Sequence, residues 1–574
     1  MALFFNGRLW VTPAAMAVVD DTQMYNRNLS VGNVLAIVGN GSGGVKKTIY
    51  RFGSAEEART LFKAGALVDA IGKAFDPSSQ TYGPTTVIAI KADDSTPATL
   101  TLKDAAAANT ITLTASDTGS IGNRVQVKIE TATGGKGKKV STQFDTTIYS
   151  KDNLFRDLFT VQYSGSGSGA TVSCDGTKFT IFDGTVSIDF DFVTYGRIVQ
   201  LVRAINTVAN WTAHMTANAR DIDTETIDLV TAAPAKTAAY QASANVQALL
   251  DWLNAPRKEG FVTAAFSATS TNKIPANIDW TRLAGGNDGA PVAQDWQDCF
   301  DLLQNEDIQW VVPLTGNPAV HAMVDSHVTY MSNIARKNRR AIVGGPAAAS
   351  DDDALTAAEN LNSDRTGYVH LGYWDYDQFG KFKLFAPYYT AALLGGMFSG
   401  VDPGTALTNK AIKIRGVERD VRNPTDTDVL INGGVIAIEK TREGYKVVRS
   451  VSTWLINDNY NRVEISCGVA LDFVVQNIIN AVRVLIGERN SPATMVRAEQ
   501  ICDSTLRELA RPQPMGPEVI VGNADSPPWR GLTVTAEGDV LRIEFECSPV
   551  IPVNYIPVVI HAVPFSGTIT QAGQ

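Results

Sequence analysis

The chain has 574 residues, enough for three to four domains at about 150 residues each. Its composition, 44% hydrophobic and 19% charged with 47 Gly and 24 Pro, is that of an ordinary globular protein. A net charge of −9 excludes binding nucleic acid through bulk electrostatics. No apolar run of about 18 residues stands out as a membrane span, and the start, MALFFNGRLWVTP, lacks the basic and apolar regions of a signal peptide. The five cysteines, Cys174, Cys299, Cys467, Cys502 and Cys547, are odd in number, scattered, and never spaced C-x-x-C. That pattern points to reduced thiols in a protein made in a cytosol.

Residues 1–27 show no sustained period and read as an extended arm. A compact unit follows: strand 33–38, a glycine loop, strand 47–52, helix 54–75 and strand 86–91. Ser54 and Glu57 form a capping box at the start of that helix. Ala58, Leu61, Phe62, Leu67, Val68 and Ile71 recur mostly at helical spacing. From about 99 to 235 the texture changes to short Thr/Val/Ile runs broken by Gly, Asp and Ser, which indicates antiparallel β structure. Helices are expected within it near 195–207 and 240–253.

The α/β rhythm returns after LAGGNDG (283–289), with helix 292–304, strand 308–313, helix 317–336, strand 341–344, helix 352–361 and strand 368–371. Such alternation implies a parallel sheet. The last unit holds a hairpin at 435–452, helices 469–486 and 491–510, and strands 518–522, 531–536 and 539–546. The end, VNYIPVVIHAVPFSGTI (553–569), is apolar and β-branched, with Pro557 and Pro564 restricting it to an edge or added strand. The fold class expected is therefore α/β and α+β multidomain. A discontinuous α/β sheet domain (28–98 and 275–400) is interrupted by a β-rich insertion (99–274). An α+β C-terminal domain (401–552) follows, with extended terminal arms at 1–27 and 553–574.

Three chemical readings compete. Gly39–Gly44 fits G-x-G-x-x-G by letter, so a nucleotide-binding α/β enzyme is one. The register argues against it: a Walker lysine position is occupied by Val45, and VKKTIYRF after the loop reads as a strand where a Rossmann loop needs a helix N-terminus. A strand-connecting loop is the simpler reading. Hydrolytic chemistry would need a cluster around His214, His321, His327, His370 or His561, but no H-E-x-x-H or G-x-S-x-G motif occurs. The charged runs are the third. Arg336-Lys337-Asn338-Arg339-Arg340 follows a helix and Asp351-Asp352-Asp353 begins one, so both suit the helix dipole. Pairing with a neighbouring subunit is the alternative.

Several stretches together resemble the contractile tail sheath proteins of long-tailed bacteriophages. They are VLAIVGNGSGGV with YRFGSAEEARTLF and LVDAIGKAFDP, then LAGGNDGAPVAQDWQDCFDLLQNEDIQWVVPLTGNPAVHAMVDSHV. RGVERDVRNPTDTDVLINGGVIAIE, VSTW and the closing VNYIPVVIHAVP complete the set, in family order. The P-G-V-Y-type opening of many sheaths is absent.

The resemblance implies a structural subunit, not an enzyme, that assembles as stacked hexameric rings around a tail tube. Contraction would drive the tube through the host envelope. It implies no cofactor, no metal, no direct nucleic-acid contact and no membrane insertion. The implied partners are the chain itself, the tail tube protein, and baseplate and tail terminator proteins, in a virion made in a host bacterial cytoplasm. The sheath of a phage-derived contractile injection device is the near alternative. The family's arms add strands to a neighbour's sheet. Here these would involve Leu3, Phe4, Phe5, Leu9, Trp10 and Val11, and Tyr555, Ile556, Val558, Val559 and Ile560. Candidate subunit–subunit or tube charge contacts are Arg336, Lys337, Arg339, Arg340, Arg415, Glu418, Arg419 and Asp420. Residues 401–552 would face the tube and the insertion would face outward.

Overall fold

The apolar run after residue 33 forms the strand Val34–Gly39, and Thr86–Lys91 is its counterpart downstream of the first helices. Both are buried over their last five residues. Continuous apolar runs without alternation are what a strand covered on both faces requires. This computed structural model describes residues 34–255, 260–267 and 273–567, with the strands Leu3–Phe5 and Arg8–Trp10. The chain is mixed α/β with many sheets, and it divides into two units. One unit comprises Met1–Ile37, Ala70–Ile88 and Phe300–Gln574; the other comprises Val38–Asp69 and Ala89–Cys299.

The first unit holds, wholly or in part, six strands of a seven-stranded sheet, in the order Val435–Ile436, Thr366–Val369, Arg340–Gly344, Trp310–Pro313, Val34–Gly39, Thr86–Lys91, the last two crossing its boundary. The pairs from Trp310–Pro313 through Val435–Ile436 are parallel, as the alternation of helix and strand predicts. Pro318–Asn333 and Asp351–Leu361 are the intervening helices. Ser350 and Asp353 form a reciprocal capping box on the second, and the acidic run supplies its first turn.

The helices Pro387–Ser399 and Thr425–Asn432 were not expected. Pro387–Ser399 (PYYTAALLGGMFS) is buried at eleven of its positions, so it has no polar face to give a period. Its glycines permit the packing. A Cβ on Gly396 would stand 2.3 Å from Ala74 O, and one on Gly395 would stand 3.0 Å from Val312 Cγ2.

The C-terminal part of this unit carries the helices Ile465–Val482 and Pro492–Leu509, close to expectation. Ala470, Phe473, Val474, Ile478, Cys502 and Leu506 form their shared core. The antiparallel ribbon Trp529–Glu537/Val540–Cys547 lays Trp529, Leu532, Ile543 and Phe545 against that core. Contrary to the sequence reading, the segment Ile465–Leu485 is long and apolar enough to cross a membrane by length and composition. Asp472 sits in its middle, ion-paired to Arg340 and Arg365, which marks a packed core helix.

The helix expected over 54–75 is two helices: Ala55–Phe62 lies in the second unit, and Ala66–Phe75 runs from the second unit into the first. The break at Lys63 (φ 60°) and Gly65 (φ 104°) turns the Phe62 and Ala64 carbonyls toward the glycine loop. The strands of 97–282 pair only antiparallel, as the texture predicts. They enclose two cores. Leu113, Val127, Val140 and Leu249 belong to one; Phe159, Phe179, Ile181 and Leu201 belong to the other. The helix expected at 240–253 begins only at Asn245, because Tyr240–Ser243 is a strand.

Candidate assembly surfaces

The glycine loop is closed by its own neighbours. Ser42 N donates to Ala64 O and Gly43 N to Phe62 O, each at 2.8 Å, while Val45 N donates to Tyr50 Oη at 2.9 Å. A phosphate cradle needs such amides free and convergent. A Cβ on Gly43 would stand 2.2 Å from Leu61 O, so this glycine serves close packing. The 1% exposed Lys91 donates to Ser95 Oγ at 2.9 Å and to the Ser42 and Gly44 carbonyls at 3.4 and 3.3 Å. Burial lowers its pKa. Asp288 accepts from Ser42 Oγ, Ser120 N and Ser120 Oγ. We therefore expect millimolar ATP or NAD to leave the melting temperature unchanged in a thermal-shift assay.

Three histidines are structural. His321 Nε2 meets Thr315 O at 2.8 Å, and burial lowers its pKa. His327 lies 3.1 Å from Arg339 Nη1, and burial plus that cation lowers it to about 3. Burial lowers His370 to about 4 against the pull of Glu418. Each stays neutral in the fold but protonates near pH 6.5 once unfolded. For His370 and His327 the resulting stabilisation is therefore whole above about pH 6.5 and is lost as pH falls toward about 4 and about 3. Unfolding free energy should drop by up to about 1.4 kcal/mol per pH unit for each of His327 and His370 below pH 6.5. Urea titrations between pH 7 and 5 read this directly. No group of three or more His, Cys, Asp or Glu suited to a metal occurs among the described residues.

The charged candidates separate into two sets. Arg339 and Arg340 are 1% and 4% exposed, which corrects their reading as contact residues. Arg339 donates to the Leu303 and Glu306 carbonyls, and Arg340 Nε to Asp472 Oδ2 at 2.9 Å. Both are committed inside the chain. Arg336 is exposed and Lys337 half-buried, its Nζ donating to Gln304 O. Arg415 pairs with Asp375 at 3.4 Å and covers the Tyr376 ring. Glu418 accepts from Ala348 N and Gly372 N, Arg419 pairs with Asp351, and Asp420 is exposed.

The two ends differ. Leu3–Phe5 and Arg8–Trp10 pair with one another antiparallel, Leu3 opposite Trp10, so this part of the predicted arm is a hairpin. Val11 and the rest of 11–27, like 568–574, lie outside the described residues. Residues 551–567 form no strand. Their large apolar side chains are exposed, from 50% at Ile551 to 96% at Phe565, and include Tyr555, Ile556, Val558, Val559 and Ile560. An unpaired apolar β-branched segment is a ready donor for another sheet. Its root is fixed: Asn554 Nδ2 lies 3.4 Å from Glu464 Oε2, and the fully buried Glu464 also holds Arg449 at 3.0 Å.

An open sheet edge escaped the sequence reading. The ribbon Trp529–Glu537/Val540–Cys547 is a sheet of two strands, so neither outer edge is paired among the described residues. The Gly538-Asp539 step announces the hairpin; only the folded chain exposes its open edges.

No family model matches the chain. It is 26% identical to the tail sheath protein of Bacillus phage SP01 over 586 residues, covering 99% of this chain and 98% of that one. It is 27% identical over 570 residues to the putative tail sheath protein of Enterococcus phage phiEF24C, covering 95% and 96%. The fold is similar to that of the sheath tail protein of Desulfitobacterium hafniense, with a TM-score of 0.53 and 12% identity over 94% and 97% of the two chains. The resemblance to tail sheath proteins thus extends over nearly the whole chain.

Proposed function

We propose that this chain, similar along nearly its full length to phage tail sheath proteins, is the structural subunit of a contractile tail sheath. The observation that carries the reading is the similarity over 99% of the chain to the Bacillus phage protein. The bare segment 551–567 and the open ribbon edges support it physically. A subunit that gives strands to neighbours and takes strands from others makes heterologous contacts, which propagate into rings and helices.

In this reading, hexameric rings stack around a tail tube, and baseplate and terminator proteins hold the two ends. Assembly leaves the extended lattice kinetically trapped above a shorter, wider one. Release at the baseplate lets subunits rotate as rigid bodies while strand joints keep neighbours tethered. The stored energy drives the tube through the host envelope without a nucleotide. Residues 401–552 face the tube and 99–274 face outward. Negative-stain microscopy of the purified protein tests this: hollow tubes or stacked rings are expected, and uniform monomers under all conditions would overturn it.

A further inference from the structure

Beside the helix Ile465–Val482 lies a cavity of about 330 Å³, at the lower end of the size range of ligand-binding pockets. One wall is aromatic: Trp310 and Phe398 stack at 4.6 Å between ring centroids, with Phe473 nearby. Its lining otherwise favours an anion, with five cationic side chains against two carboxylates in a chain whose net charge is −9. Arg340 is neutralised by Asp472. Arg336 and Arg483 have no carboxylate partner among the described residues, and both are exposed. Arg339, almost fully buried in the lining, has no acceptor for its Nε. Uncompensated cations around a partly apolar hollow call for an occupant with carboxylates on an apolar stem.

The chain carries such a feature elsewhere. The terminal ribbon turns through Gly538 (φ 62°) and Asp539, flanked by the cross-strand pair Glu537–Val540. Glu537 and Asp539 are exposed and unpaired among the described residues, and Val540 is 52% exposed. In its own chain the tip is held by Asn490 Nδ2, which donates to Gly538 O at 2.8 Å, and no tip residue lines the cavity. We propose that the acidic ribbon tip of a second copy seats in this cavity, with Glu537 and Asp539 meeting Arg336 and Arg483. The contact is heterologous, one patch on each copy, and so propagates with a lattice instead of closing a dimer. It adds a charge-matched contact to the self-assembly proposed above, and rests on that reading only for its setting.

Cross-linking tests it without needing tubes. A chain carrying Arg483→Cys is mixed with a chain carrying Asp539→Cys under mild oxidation. Disulfide-linked dimer is expected at about tenfold the level of either variant alone. Adding Glu537→Lys to the second chain should remove most of that gain, and Arg336→Glu on the first should return it. No gain in the mixture, or an unchanged gain after Glu537→Lys, overturns the proposal. A chain carrying both cysteines that links only internally also overturns it, since the tip would then serve its own chain. Cysteine variants that link this way, while the wild-type protein never forms tubes, would sink the sheath reading and leave this contact standing.

Discussion

Removing residues 558–574 is expected to leave a folded monomer that no longer polymerises. The described part of this segment pairs with no strand and its apolar side chains are bare. Its loss should therefore change unfolding free energy by less than about 0.5 kcal/mol, as for other surface changes. Assembly has much more to lose. Each apolar side chain covered on a neighbour is worth about 1.5–3 kcal/mol, and several must be covered to offset association costs of about 4–15 kcal/mol. Deleting residues 1–20 should act in the same direction through the other arm. Urea unfolding and negative-stain microscopy of the same preparations decide it. Ordered tubes from either truncated chain would end the strand-donation account.

The second large effect is expected at Asp472. Its carboxylate receives Arg340 Nε at 2.9 Å and Arg365 Nη1 at 2.6 and 2.7 Å, and its carbonyl receives Asn338 Nδ2 at 3.1 Å. These bonds tie the helix Ile465–Val482 to the strand Arg340–Gly344 and to the turn ahead of Thr366–Val369. Gly468 is matched to them, because a Cβ there would stand 2.2 Å from Arg340 Nη2. Asp472→Asn leaves two largely buried guanidiniums without their anion, and breaking a buried pair in this way costs about 3–5 kcal/mol. The denaturation midpoint should fall with an unchanged m-value. A loss under about 1 kcal/mol would mean that water or a nearby carbonyl replaces the carboxylate.

Much of the α/β succession was legible because its strands are continuous apolar runs and its helices carry caps. Val34–Gly39, Thr86–Lys91, Asp351–Leu361 and Pro492–Leu509 all fall within a few residues of expectation. Pro387–Ser399 was illegible for the opposite reason: a helix buried all round shows no period. The break at Lys63–Gly65 was hidden because helical spacing continues through it, and only the loop's need for the Phe62 and Ala64 carbonyls reveals it. Arg339 and Arg340 misled in another way. A run of basic residues normally means a solvated face, yet here three backbone carbonyls and Asp472 draw two of them inward. The tail's composition raised the expectation of an added strand, whereas an open ribbon edge is a property of pairing that no local pattern records.

Residues 548–574 contain no Asp, Glu, Lys or Arg. A joint formed by this segment would hold by backbone hydrogen bonds and apolar cover, and screening by ions acts on neither. The tip-and-cavity contact would be the reverse, since exposed charges lose their mutual reach beyond a Debye length of about 8 Å at physiological ionic strength. Raising salt should therefore slacken the second contact while the first keeps its grip. Such a lattice could be loosened by its surroundings without coming apart.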